Sequence, residues 1–77
     1  MRLIVKTKIL IGIRIRKGLN QTELAARAGI TGGFMSQIER GIYRPSPRTA
    51  YRIAEALEVG FDEIFSLADP QNNKDSR

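Results

Sequence analysis

Apolar residues recur every three to four positions along most of this chain, and their spacing outlines a string of short helices. Leu24, Ala25 and Ala28 form one stripe behind Asn20, whose side-chain oxygen can cap a helix start. Gly29 follows where a left-handed residue must end that helix, a conformation that costs little without a Cβ. Thr31 can cap the next segment. Met35 and Ile38, three apart, give that segment an inward stripe, and Gly41 can end it. The small Ala25 lets these two helices cross closely. Ser46-Pro47 is a helix start by chemistry, a capping hydroxyl followed by a proline whose missing N–H costs nothing in the first turn. Ala50, Ile53, Ala54 and Leu57 supply the next buried stripe. Gly60, Asp62 and Glu63 suit the opening of a short last helix, with acids at the positive end of its dipole.

The N-terminal segment breaks this rhythm. Ile9, Ile11, Ile13 and Ile15 alternate strictly, all are β-branched, and Gly12 lies among them, so local rules favour a strand. The apolar run Ile9–Ile13 is too short for a membrane span or a secretory leader. At the other end, Ala68–Arg77 holds Asp69-Pro70 and a polar run, the composition of a disordered tail. The division expected is a domain over residues 1–67 and a flexible polar tail over 68–77.

Composition narrows the function classes. Seventy-seven residues make one small domain with little spare stability unless it oligomerises. Without cysteine there is neither a disulfide framework nor a thiolate metal site, which is consistent with a cytoplasmic protein. Without histidine, general-base, triad and imidazole–metal chemistry lose their commonest residue. The carboxylates are scattered and no glycine-rich phosphate loop follows a strand, so neither an enzyme nor a cofactor is expected. The net charge of +5 hides a sharper division. Residues 1–52 carry eleven Lys/Arg against Glu23 and Glu39, a net of +9, whereas residues 53–77 carry two against six acids, a net of −4. A basic body with an acidic end is the layout of a polyanion binder with one preferred face.

The stretches GLNQTELAARAGI, MSQIERG and RPSPRTAYRIAEALEV resemble the Cro-type or lambda-repressor-like helix-turn-helix regulators, the Xre family, over roughly Leu10 to Phe65. The resemblance implies an all-α, compact five-helix DNA-binding domain whose third helix lies in a DNA major groove. It also implies that the N-terminus is helical from about Lys6 to Lys17, with Leu10, Ile13, Arg14 and Lys17 inward, Ile11 and Ile15 outward, and Met1–Val5 extended. Arg14 and Glu39 match an inward arginine and the glutamate of an IERG-like motif, implying a buried ion pair between the first helix and the recognition helix. The family usually has glycine after its fourth helix. This chain has Glu58, for which a tight left-handed stop is costly.

With Met35 and Ile38 inward, a step of about 100° per residue places Gly32, Gly33, Ser36, Gln37 and Arg40 around the opposite face. Gln37 can pair with adenine N6 and N7, and Ser36 can bond base edges or a phosphate. Gly32 and Gly33 weaken the helix, and close backbone approach to DNA would compensate. Phe34 is expected to pack beside Ile38. The resemblance makes Gln21 a phosphate clamp at the start of the second helix, and Thr31, Arg40, Tyr43, Arg44 and Arg48 are further backbone contacts. Lys6, Lys8, Arg16 and Lys17 contribute to the diffuse field.

The partners expected are double-stranded DNA and a second copy. Phe61, Ile64, Phe65 and Leu67 are more apolar surface than one short terminal helix can bury. Ile64, with Phe61 as the second candidate, would roof the core, leaving Phe65 and Leu67 for a two-fold dimer. A monomer that pairs only on DNA, or a dimer through Met1–Val5 with Ile11 and Ile15, are the competing arrangements. The function expected is a sequence-specific transcriptional regulator, a repressor acting on a palindromic operator. An antitoxin-type or other protein-interaction module on the same fold is the alternative. An RNA binder has no aromatic sheet motif or KH-type glycine loop to support it.

Overall fold

The computed structural model describes residues 1–68, in the order β1 (Arg2–Val5), α1 (Thr7–Arg16), α2 (Gln21–Ala28), α3 (Gly32–Glu39), α4 (Pro47–Leu57), α5 (Phe61–Ile64) and β2 (Phe65–Ala68). The five helices are those the apolar spacing and the resemblance outline. Their starts are fixed by side chains. Asn20 and Glu23 form a reciprocal capping box, with Glu23 N–H donating to Asn20 Oδ1 at 2.7 Å and Asn20 N–H to Glu23 Oε1 at 2.9 Å. Thr31 Oγ1 accepts from Phe34 N–H at 3.1 Å, and Ser46 Oγ accepts from Thr49 N–H at 3.2 Å. Each cap satisfies an amide that has no partner inside its helix.

The helix ends share one device. The amides of Ile30 and Val59 reach back to the carbonyls of Ala25 and Ala54 at 2.9 and 3.1 Å, closing α2 and α4 over a left-handed residue. After α2 that residue is Gly29. After α4 it is Glu58, at φ 60° and ψ 40°. The stop is therefore tight despite the absent glycine, and burial of Leu57 just before it holds the backbone there. Exposed Lys17 lies 3.5 Å from the Glu58 carboxylate, a pairing that solvent screens. Lys17 thus departs from the inward position that the resemblance implied for it.

Leu10, Leu24, Met35, Ile38, Ile53, Leu57, Ile64 and Phe65 form the centre of the core, each fully buried. The alternating isoleucines are helical. Alternation places them on two opposite sides of α1, Ile9 with Ile13 and Ile11 with Ile15, and Ile11 and Ile13 are half-buried while Ile9 and Ile15 are exposed. What fixes the helix is tertiary, namely Leu10 in the core and Arg14 anchored to Glu39.

The largest departure from expectation is at the chain ends. The extended N-terminus is a strand, β1, paired antiparallel with β2 so that Leu3 faces Leu67 and Val5 faces Phe65. The last helix is a single turn, and the chain becomes extended at Phe65. Phe65 is fully buried, with its ring centroid 5.0 Å from that of Phe61. It is not the exposed dimer residue the sequence suggested, because the switch to strand turns its side chain onto the core beside Val5. Ile64 is buried as the expected roof, Phe61 is half-buried, and Leu67 remains 57% exposed. Ala68, expected to begin the tail, completes β2, and the rest of that tail lies outside the described residues.

Candidate nucleic-acid interface

The geometry of α3 begins with how α2 receives it. A Cβ on Gly32 would lie 3.0 Å from Thr22 Oγ1, so the missing side chain permits close packing of α3 on α2. A Cβ on Gly33 would meet nothing within 4 Å. The two glycines, read alike from the sequence, are therefore different. Gly32 serves the helix contact, and Gly33 lies exposed on the outer face.

Behind that face is a polar knot. Arg14 Nε donates to Glu39 Oε2 at 2.7 Å and Arg14 Nη2 to Glu39 Oε1 at 3.1 Å. A third donor of Arg14, Nη1, bonds the Leu19 carbonyl at 2.9 Å. Gln21 Nε2 donates to Glu39 Oε1 at 2.8 Å. Glu39 is only 5% exposed, and its carboxylate receives three hydrogen bonds, so the buried charge is both paired and solvated by protein donors. The knot ties α1, the start of α2 and the end of α3 into one rigid corner. It also revises the part given to Gln21, whose amide nitrogen is occupied by Glu39, leaving one N–H and Oε1 at the half-buried start of α2.

On the other side of α3, Gln37, Gly33 and Arg40 are exposed, while Ser36 is half-buried. Thr31, Tyr43, Arg44 and Arg48 are exposed on the flanking segments. Phe34 stacks on Tyr43, ring centroids 4.5 Å apart and planes tilted by 55°. Instead of sitting only beside Ile38, Phe34 supports the loop that follows α3. That loop is secured a second way, since the amides of Ile42 and Tyr43 both donate to the Gln37 carbonyl, at 3.0 and 3.3 Å. The exposed candidates thus occur on one helix and the loop bound to it, with Arg48 in the first turn of α4.

Sequence reasoning missed Arg2. It lines a cleft of about 350 Å³ together with Thr7, Tyr43 and Arg44. No local signal marks it, because the cleft exists only once β1 pairs across the full length of the chain. Among the described residues no group of histidine, cysteine or carboxylate side chains is arranged to hold a metal, and no helix is long and apolar enough to cross a membrane.

Comparison with known proteins agrees with this geometry. The helix-turn-helix family pattern matches residues 11–64. An HTH-type transcriptional regulator of Sinorhizobium fredii is 39% identical over 57 residues, covering 74% of each chain. One from Methanothermobacter thermautotrophicus is 50% identical over 51 residues, covering 65% of this chain and 74% of the relative. Among solved structures, the restriction-modification controller protein C.AhdI from Aeromonas hydrophila superposes with a TM-score of 0.71 at 30% identity, over 74% of this chain and 83% of that one.

Proposed function

The chain belongs to the helix-turn-helix family of transcriptional regulators, and from that premise we propose that it is a sequence-specific repressor that inserts α3 into the major groove of a palindromic operator. The observation that carries this reading is the two-sidedness of α3. Met35, Ile38 and Glu39 are buried, whereas Gly33, Gln37 and Arg40 stand exposed. The exposed amide of Gln37 carries the donor and acceptor that bidentate recognition of adenine requires. Arg44 and Arg48, with Thr31, Arg40 and Tyr43, grip phosphates and set the register. Gln21 adds a contact through its free N–H and the unpaired amides of the first turn of α2.

The operator's symmetry implies a homodimer, with recognition helices about 34 Å apart. Leu67 is the exposed apolar residue at the C-terminal end, and it stands opposite half-buried Leu3 on the same face of the sheet. This Leu3–Leu67 surface, with the outer part of Phe61, takes the place of the patch first built on Phe65.

Selection of bound sequences from a random duplex pool tests the function directly. On the selected site, Gln37→Ala is expected to remove about 1–3 kcal/mol of discrimination against random duplex. Arg44→Ala is expected to weaken both equally and flatten the salt dependence by about one unit. Equal losses on both duplexes for Gln37→Ala would show that it does not read bases.

A further inference from the structure

The cleft between β1 and the Gly41–Arg44 loop is a largely apolar trough of Leu3, Ile4, Val5, Ile42 and Tyr43 with an arginine contributed by each side. Arg2 and Arg44 line it from two different elements, and none of its lining residues is acidic. Neither arginine has a carboxylate partner among the described residues. The backbone of β1 contributes as well. Lys6 N–H donates to the Ile64 carbonyl at 2.8 Å, in register with the β1–β2 ladder, so Arg2, Ile4 and Lys6 direct their main-chain groups toward β2. Leu3 and Val5 alternate with them and direct theirs away from it. No β2 residue lines the cleft, which therefore runs along that unpaired edge.

We propose that this cleft holds a backbone phosphate of the same duplex whose major groove receives α3, which makes Arg2 a gripping residue and β1 part of the DNA-binding surface. The proposal rests on the DNA-binding reading above. Two observations select a phosphodiester as the occupant. Tyr43 and Arg44 belong both to the cleft and to the loop that follows α3 and bonds the Gln37 carbonyl, so the cleft shares a wall with the segment proposed to grip phosphates. Its walls carry two arginines without a carboxylate partner among the described residues, which attracts a phosphate.

Arg2→Gln keeps the stem and removes the charge. Its affinity for the selected duplex and for random duplex is to be measured across a series of salt concentrations, beside Arg44→Gln and Gln37→Ala. A loss of about three- to tenfold on both duplexes, with a salt slope about 0.9 shallower, is expected. Unchanged affinity and slope for Arg2→Gln, together with losses for the other two variants, overturns the cleft site and leaves the DNA reading intact. Failure of the unaltered protein to bind any duplex overturns the DNA reading itself. A change in the sedimentation of the free protein on Arg2→Gln, with no change in salt slope, assigns the cleft to a second copy and also overturns the proposal. Should Arg2→Gln lower the melting temperature, Arg2→Lys separates the effects, because restored charge is expected to restore the salt slope.

Discussion

The corner between α2 and α3 and the closure between β1 and β2 are held by different physics. At the corner most of the geometry is local: a capping box, a hydroxyl cap and a left-handed glycine act within spans of a few residues. One long-range knot, Arg14–Glu39–Gln21, then fixes the crossing angle. The closure has no such local devices. It joins Val5 to Phe65 across nearly the whole chain, and its strands exist only because each pairs with the other. The corner can therefore tolerate changes at its outer face, whereas the closure must form as a unit and bear the entropy of closing a long loop.

The largest expected effect tests that contrast at the closure. Phe65→Glu removes a fully buried ring and places a carboxylate in the core. Large aromatic truncations alone cost about 3–5 kcal/mol, and the added charge makes the total comparable to the stability of a domain this small. The variant is expected to be unfolded at room temperature by circular dichroism, and a folded, monomeric Phe65→Glu would restore the dimer role first read from the sequence. Next is the knot. Glu39→Gln strands Arg14 in a largely buried site, at a cost of about 3–5 kcal/mol, or a melting temperature lower by more than about ten degrees. A change of a degree or two would mean that the pair is not what fixes the corner. A smaller, opposite effect is expected at Glu58, where glycine would relieve the left-handed strain and stabilise the fold by about 1 kcal/mol in a denaturant titration. The smallest effect separates the two glycines of α3. Gly33→Ala is expected to stabilise by about 0.5 kcal/mol, and Gly32→Ala to yield no such gain because its methyl meets Thr22. Equal responses would remove the distinction between a packing glycine and an open one.

These differences trace how much of the molecule was legible in its sequence. Asn20, Gly29, Thr31 and Ser46-Pro47 act on their immediate neighbours, so caps and stops could be assigned from spacing alone. The Arg14–Glu39 pair lies 25 residues apart and became visible only through family resemblance. The extended state of Phe65–Ala68 was not legible, because a short apolar stretch after a helix carries no sign of the partner strand that will capture it. The contrasting fates of Gly32 and Gly33 were hidden for the same reason, since Thr22 approaches one and not the other. At the site, the exposed face of α3 followed from its inward stripe, whereas Arg2 entered only with the closure.

The two amides that bond the Gln37 carbonyl give position 37 two separable duties. Its main chain moors the loop that carries Arg44, a task any residue able to hold the helix can perform. Its side chain is free of that task. On the proposed reading, a lineage could exchange the side chain at position 37 and acquire a new operator while the mooring, and with it the hold on the phosphates, passed unchanged to its descendants.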